Sequence, residues 1–189
     1  MFENDRIQVV EYTLTPPAQV APGMTGPSLL MTLSEANLRI DGGDPRALAE
    51  HEVYWSDSGI ETVGAIGDTD AWILVARLGE PAPPPAAPIQ PDDGMVAVPS
   101  VYRCVFENDR VRVAWVTNPA GAEVPMHSHP GRAFRYVIRH ALTRFTAPDG
   151  STREANPAPG SVLWAENPSS HAAQNLGDIG VQVVLIEAR

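Results

Sequence analysis

Short runs that alternate apolar and polar residues, or that are almost wholly apolar, recur along the chain. A period of two places one face of a strand in a core, and apolar runs of about four to eight residues fit buried strands. In the second half of the chain, strands are predicted at residues 110–116, 135–138, 142–146, 161–164 and 181–186. Turn sequences such as Pro-Asp-Gly at 148–150 and Asp-Gly-Gly at 41–43 separate the runs. One short helix is predicted at residues 45–51.

An internal repeat relates the two halves of the chain. The segment Phe-Glu-Asn-Asp-Arg-Ile-Gln-Val at residues 2–9 recurs as Phe-Glu-Asn-Asp-Arg-Val-Arg-Val at residues 106–113. Two further matches follow in the same order, residues 52–55 with 161–164 and residues 66–68 with 176–178. Because repeated segments in the same order indicate repeated structural units, the chain is predicted to contain two copies of one domain.

A proline-rich segment lies between the copies, with seven prolines from Pro81 to Pro99. Such a segment sustains neither a helix nor a central strand, and we expect it to act as a semi-rigid linker. The predicted domains are residues 1–80 and 101–189, with residues 81–100 as the linker. Many short strands with Gly- and Pro-rich turns indicate an all-β fold, a sandwich or jelly roll in each half.

The charge composition restricts the partners of the protein. The chain of 189 residues has 23 acidic and 13 basic residues, a formal net charge of −10, and every basic residue is arginine. The lack of lysine excludes a lysine Schiff base, and the acidic balance argues against binding to nucleic acid or to an anionic membrane surface. The single Cys104 allows no intrachain disulfide. With no signal-peptide pattern and no membrane-spanning apolar segment, we expect a cytoplasmic protein.

The histidines are the strongest candidates for chemistry. Alternate side chains of an extended strand lie on one face, so His127 and His129 project together and can bind one metal ion. The pattern Gly-x5-His-x-His, followed by Gly-x10-His-x3-Asn, resembles the two signature motifs of the cupin superfamily, which consists of small jelly-roll barrels with a metal ion inside. The matching residues are Gly121, His127, His129, Gly160, His171 and Asn175.

The resemblance covers residues 106–189 and extends to short bacterial cupins that have no assigned substrate. It implies two jelly-roll β-barrels in tandem, a bicupin arrangement, with one divalent metal ion held by His127, His129 and His171 in the second barrel. In the first barrel, Gly23 and Thr25 stand where the repeat would place the paired histidines. That barrel is therefore expected to lack a metal site and to support folding, cover a face of the second barrel or contribute to a homodimer.

The second barrel departs from the cupin pattern at one ligand. Cupins usually carry a metal-binding glutamate about five residues after the second histidine, where this sequence has Phe134. Three neutral imidazoles leave a divalent ion its full positive charge, which favours anionic or chelating ligands such as diketones, hydroxy acids or thiolates. The set of three histidine ligands resembles that of three-histidine cupin dioxygenases, so Fe(II) is the favoured cofactor, with Mn, Ni and Zn as alternatives.

Two classes of function remain open at this point. The first is a metal-dependent enzyme acting on a small molecule, with Fe(II)-type dioxygenation of a chelating carbonyl or acid as the leading version and isomerase, lyase or cyclase chemistry as the runner-up. The second is a non-catalytic module that binds a metal or a small molecule. No catalytic residue is assigned, and the candidates for substrate binding are Phe134, Tyr136, Trp164 and Gln174.

Overall fold

Antiparallel β-strands form nearly all of the regular structure. The computed structural model describes residues 1–79, 90–129, 131–165 and 169–188. The chain divides into two compact units, Met1–Glu80 and Pro81–Arg189. The predicted all-β fold is confirmed, since each unit is a jelly roll in which a five-stranded and a four-stranded sheet enclose an apolar core.

In the described residues of the first unit, the strands are β1 (Phe2–Glu3), β2 (Ile7–Leu14), β3 (Gln19–Val20), β4 (Met24–Thr25), β5 (Ser28–Thr32), β6 (Ala36–Ile40), β7 (Arg46–Leu48), β8 (Val53–Ser56), β9 (Gly59–Ile60), β10 (Val63–Ala65) and β11 (Ala71–Leu78). The sheet orders are β1-β2-β11-β5-β8 and β3-β10-β6-β7, and β4 pairs with β9. Leu30, Leu38 and Ile73 are fully buried in the core that both sheets share.

In the described residues of the second unit, the elements are α1 (Gly94–Ala97), β12 (Tyr102–Glu107), β13 (Val111–Asn118), β14 (Glu123–His129), β15 (Arg132–Arg139), β16 (Thr143–Thr146), β17 (Thr152–Ala155), β18 (Val162–Ala165), β19 (Ser169–Asn175) and β20 (Val181–Ala188). The sheet orders are β12-β13-β20-β15-β18 and β14-β19-β16-β17. Ala114, Ala133 and Leu185 of the larger sheet share a core with Val124 and Ala173 of the smaller one.

The repeat in the sequence forms the same structural element in both units. Asn4 Oδ1 accepts hydrogen bonds of 2.9 Å from the backbone N–H groups two and three residues later, and Asn108 Oδ1 accepts the same pair of bonds. This Asx turn joins β1 to β2 and β12 to β13, which explains why the Asn-Asp-Arg segment recurs. The second repeated segment forms the edge strands β8 and β18, and the third forms the turns before β11 and β20.

The helix expected at residues 45–51 does not form, so that prediction is wrong. Strand β7 occupies this place, because Arg46 pairs with Leu38 of β6 and Leu48 enters the core of the first unit. Pairing along a sheet edge and burial of a leucine outweigh the weak local preference for a helical turn.

The segment between the repeats is divided in the structure. Residues 80–89 lie outside the described residues, whereas 90–100 belong to the second unit and include α1. Helix α1 begins after Asp93, whose side chain accepts a hydrogen bond from the backbone N–H of Met95 at 2.9 Å. In the described part of the chain, no helix has the length and apolar character needed to cross a membrane.

Candidate metal centre and its cavity

The three histidines singled out in the sequence lie together on two paired strands. His127 of β14 is directly opposite His171 of β19, and His129 lies two residues further along β14 on the same face. Their candidate ligand nitrogens all lie within 4.8 Å of one another. Two nitrogens that bind one ion are at most about 4.2 Å apart. Small side-chain adjustments would therefore bring all three onto a shared ion.

An irregularity in β14 determines which of its side chains face inward. The register between β14 and β19 shifts between Val124 and His127, so the side chains of Val124 and His127 are both buried although the two residues are three positions apart. Pro125 and Met126, which lie between them, are exposed. Bulges are frequent beside functional sites because they re-aim a side chain.

His127 is held in one tautomer by two hydrogen bonds. Its Nδ1 lies 2.8 Å from the carbonyl oxygen of Pro125, which can only accept, so Nδ1 carries the proton and donates. Its Nε2 therefore carries a lone pair and accepts from the hydroxyl of Tyr102 at 2.9 Å. Burial lowers the pKa of His127, so the neutral form that a metal requires is favoured. Burial also raises the pKa of Tyr102, which keeps its hydroxyl proton in place.

His129 presents an unpartnered nitrogen. Its Nδ1 donates to Glu187 Oε1 at 3.1 Å, since a carboxylate only accepts. Its Nε2 is buried and has no hydrogen-bond partner among the described residues. A buried nitrogen lone pair beside two other imidazoles is the arrangement that a metal ion satisfies.

His171 completes the cluster from the opposite strand. Burial, together with positive charge at His127, His129 and two nearby arginines, lowers the pKa of His171 to about 3. Its ring centroid lies 4.7 Å from that of His127 and 5.3 Å from that of Phe145. His171 is therefore neutral over the physiological range, as a metal ligand must be.

A buried ionic network, which sequence reasoning missed, stands behind His129. Arg112 Nη2 donates to Asp93 Oδ2 at 2.7 Å and to Glu187 Oε2 at 2.5 Å, and all three side chains are at most 4% exposed. Although burial opposes it, the hydrogen bonds from His129 and Arg112 hold the pKa of Glu187 below its usual range. One arginine and two carboxylates carry a net charge of −1, which would partly balance the charge of a cation bound by the histidines.

The sequence does contain a weak signal for this network. Arg112 lies within an otherwise apolar run on β13, and Glu187 follows inward-facing Leu185 at the next alternate position of β20. A charged residue at a core position of an apolar strand is rarely left unpaired. The two strands pair with each other, which brings the charges together.

Close packing around the histidines requires a glycine in α1. A Cβ atom at Gly94 would lie 2.9 Å from His127 Cδ2 and 3.5 Å from both His129 Cε1 and Tyr102 Cδ2. The backbone N–H of Ser128 donates to the carbonyl oxygen of Asp92 at 2.8 Å, which ties this segment to β14. The chain preceding β12 therefore closes one side of the histidine cluster.

A cavity of about 770 Å³ opens beside the cluster and is lined partly by His171 and Tyr102. Its walls are mainly apolar and include Phe145 and Trp164. Within the described residues, no aspartate or glutamate lines it, whereas Arg135 and Arg153 do. The cavity is therefore suited to a small molecule with an apolar body and negative charge.

The four candidates for substrate binding have different positions. Trp164 lines the cavity. Phe134 and Tyr136 do not line it among the described residues; they lie on the face of β15 opposite to Ala133 and Arg135, because side chains alternate along a strand. The missing cupin glutamate therefore has no counterpart at Phe134, which does not point toward the histidines.

Gln174 also lies outside the cavity lining, because it falls on the outer face of β19 between inward-facing Ala173 and Asn175. Its Nε2 donates to Glu123 Oε1 at 3.0 Å across the strand pair.

Asn175, the last residue of the second motif, has a structural role. The two N–H groups of its Nδ2 are shared among three backbone carbonyl oxygens at 2.8–3.1 Å, and its Oδ1 accepts from the N–H of Gly177.

The comparisons with known proteins concern the fold. No protein-family model and no curated protein matches the sequence. The structure of AerE from Microcystis aeruginosa aligns with 100% of this chain and 90% of that chain, with a TM-score of 0.65 and 11% identity. The S161A mutant of Bacillus subtilis oxalate decarboxylase OxdC aligns with 97% of this chain and 69% of that chain, with a TM-score of 0.64 and 17% identity.

A third structure bears the family's name. A Cupin 2 conserved barrel domain protein from Leptotrichia buccalis aligns with 100% of this chain and 86% of that chain, with a TM-score of 0.51 and 10% identity. Structural similarity at such low sequence identity indicates a shared fold and not a shared activity. The chain therefore has the fold of the cupin superfamily, with two jelly-roll barrels in tandem.

Proposed function

We propose that the protein is a metal-dependent enzyme that acts on a small anionic or chelating molecule, with His127, His129 and His171 as metal ligands. The observation that carries the proposal is the buried, unpartnered Nε2 of His129, which lies in a cluster of three imidazoles beside a cavity. A relic cluster would be expected to fill this position with a hydrogen-bond partner or an apolar side chain.

The leading reaction is Fe(II)-type dioxygenation of a chelating carbonyl compound or acid. A divalent ion held by three protein ligands supplies a Lewis-acid or oxygen-binding centre with positions open to substrate. Glu187 orients His129, the carbonyl oxygen of Pro125 holds His127 in the tautomer whose Nε2 carries the lone pair, and the apolar walls of the cavity limit the access of water. No carboxylate lines the cavity in the described residues to serve as a general base, which disfavours hydrolysis.

The choice of metal is part of the proposal. Imidazole ligands suit iron, nickel, copper and zinc, and the network behind His129 adds one negative charge. A related structure is described as containing Mn(II) centres in oxalate decarboxylase of Bacillus subtilis, at 14% identity to this chain. We favour Fe(II), with Mn, Ni and Zn as the alternatives.

A metal-dependent isomerase or lyase is the second candidate, and one observation favours it. Tyr102 lines the cavity and its hydroxyl donates to His127, so a protonated hydroxyl lies beside the candidate metal centre. Isomerase or lyase chemistry, which consumes no oxygen, would use this hydroxyl as a hydrogen-bond donor.

The experiment loads the full chain anaerobically with Fe(II), Mn(II), Ni(II) or Zn(II) and follows oxygen uptake and product formation with a panel of diketones and hydroxy acids. Dioxygenation predicts stoichiometric oxygen consumption that requires Fe(II) and is abolished by His129→Ala. Conversion without oxygen uptake would favour isomerase or lyase chemistry. A metal-loaded protein that converts no member of the panel would favour a non-catalytic binding module.

A further inference from the structure

Arg135 occupies an unusual position for a charged residue. It lies on the inward face of β15, between Ala133 and Val137, and its side chain lines the cavity beside the histidine cluster. Burial lowers the pKa of Arg135, which shows that its surroundings disfavour the charge. An arginine nevertheless remains protonated at all physiological pH values, so the positive charge persists inside the cavity.

Arg135 has no anionic partner in the described part of the chain. No hydrogen bond or ion pair joins its guanidinium to another described residue. Two other arginines show the usual arrangement: Arg112 is held by two buried carboxylates, and Arg144 donates to Glu154 Oε1 at 3.1 and 2.9 Å. Glu187, the carboxylate whose charge acts on Arg135, is already engaged by Arg112 and His129.

Arg135 is only partly exposed, and a partly buried charge without a partner is unfavourable for folding, so its retention indicates a partner that is supplied from outside. The guanidinium is a planar fork that matches a carboxylate through two parallel hydrogen bonds. Arg153 adds positive charge to the same cavity, where its Cζ lies 4.4 Å from the centroid of the Phe145 ring. Phe145, Trp164 and Leu185 supply apolar surface around these charges.

We propose that Arg135 binds the carboxylate of a small organic acid whose apolar or aromatic body fills the cavity beside the three histidines. The inference deepens the proposed function, and rests on it only for the statement that this acid is the substrate. The carboxylate would anchor the molecule on β15, and the body of the ligand would extend toward the histidines on β14 and β19. The cavity therefore selects for monocarboxylates with an apolar portion over neutral analogues of the same shape.

The test measures binding of 3-phenylpropanoate and of its neutral amide, 3-phenylpropanamide, to the full chain by calorimetry. Each compound is titrated into chelator-treated protein and into zinc-loaded protein. Arg135→Gln removes the charge, and Arg135→Lys keeps the charge but loses the fork. Arg144→Gln is the matched control, because it removes an arginine outside the cavity. Thermal unfolding of every variant is recorded.

We expect the wild-type protein to bind the acid about tenfold more tightly than the amide, as a charge-assisted paired hydrogen bond predicts. This preference should disappear in Arg135→Gln, weaken in Arg135→Lys and persist in Arg144→Gln. The Tm of Arg135→Gln should equal or exceed that of the wild type, because an unpaired charge is removed.

Several results would overturn the proposal. These are equal affinities of the wild type for acid and amide, no binding of the acid up to its solubility, or a preference that survives in both Arg135 variants. A marked loss of Tm in both Arg135 variants would assign the residue a structural role instead. Acid selectivity in chelator-treated protein that takes up no metal would sustain this inference while refuting the proposed metal-dependent function.

Discussion

At the scale of single residues, Glu187 is the side chain that orients a candidate ligand without being one. Its carboxylate accepts from His129 Nδ1 and is itself held by Arg112, which also binds Asp93. A carboxylate behind a ligating histidine fixes the tautomer and raises the basicity of the other nitrogen. The metal-binding glutamate usual in cupins is absent at Phe134, and the carboxylate of Glu187 instead lies behind His129, where it contacts the imidazole and not the proposed metal position.

We predict that Glu187→Gln weakens metal binding by about 10–100-fold while leaving all three histidines in place. The amide keeps the size of the side chain but removes the negative charge that polarises His129. Competition with a chromophoric chelator measures the affinity, with Glu154→Gln, at an exposed ion pair, as the control. Equal affinities of the Glu187 variant and the wild type would refute the orienting role.

The lowered pKa of His171 predicts a pH dependence of stability for the metal-free protein. The folded-state pKa of about 3 lies below the unfolded value of about 6.5, so between these values the unfolded chain binds a proton that the folded chain does not. Stability from this residue is therefore complete above about pH 6.5 and falls as the pH drops toward 3. The loss is at most about 1.4 kcal/mol per pH unit.

Urea unfolding of chelator-treated protein at about pH 7 and about pH 5 measures this effect. His171→Gln should show a shallower decrease in the free energy of unfolding than the wild type, because it lacks the titrating imidazole. Parallel decreases in both proteins would contradict the assignment. Added metal should oppose the decrease in the wild type, since it binds only the neutral imidazoles of the folded state.

At the scale of elements, β15 has two faces with different roles. Ala133, Arg135 and Val137 face the core and cavity, whereas Phe134 and Tyr136 lie on the other face. We predict that Phe134→Glu does not tighten metal binding and instead destabilises the fold by about 3 kcal/mol or more, because Phe134 is fully buried. Chemical denaturation and metal titration test both parts, with Ile179→Glu at an exposed position as control. Tighter metal binding by Phe134→Glu would show that this side chain reaches the cluster.

Helix α1 is the second element on which the site depends. We predict that Gly94→Ala weakens metal binding, because a Cβ atom there would meet His127 at 2.9 Å and displace its ring. Val96→Ala in the same helix is the matched control, since Val96 is exposed. Metal affinity and Tm are compared for both variants. If Gly94→Ala binds metal as the wild type does, the helix does not constrain the histidines.

Some residues of the site could be predicted from the sequence and others could not. His127, His129 and His171 could be identified because local spacing and two motifs mark them, and the repeat marks the strands that carry them. The inward face of β15 could not be predicted, because Ala133, Phe134, Tyr136 and Val137 are all apolar or aromatic and alternation carries no signal. Glu187 and Arg112 come together through the pairing of β13 with β20, two strands distant in sequence, which spacing does not encode.

At the scale of the whole molecule, two copies of one fold carry different residues at corresponding places. Both units share the Asx turn and the sheet order, but Gly23 and Thr25 of the first unit are exposed and Met24 enters its core. Among the described residues, the candidate metal cluster formed by histidine, cysteine, aspartate or glutamate side chains lies in the second unit. We therefore predict a single metal site per chain.

Metal stoichiometry of the full chain tests this central claim most directly. Protein reconstituted in turn with Fe(II), Mn(II), Ni(II) and Zn(II), and freed of excess metal, is analysed for metal content by mass spectrometry. We predict one divalent ion per chain for the wild type and severe loss of occupancy in His127→Ala, His129→Ala and His171→Ala. A wild-type protein that retains none of the four metals, or alanine variants that keep full occupancy, would contradict it.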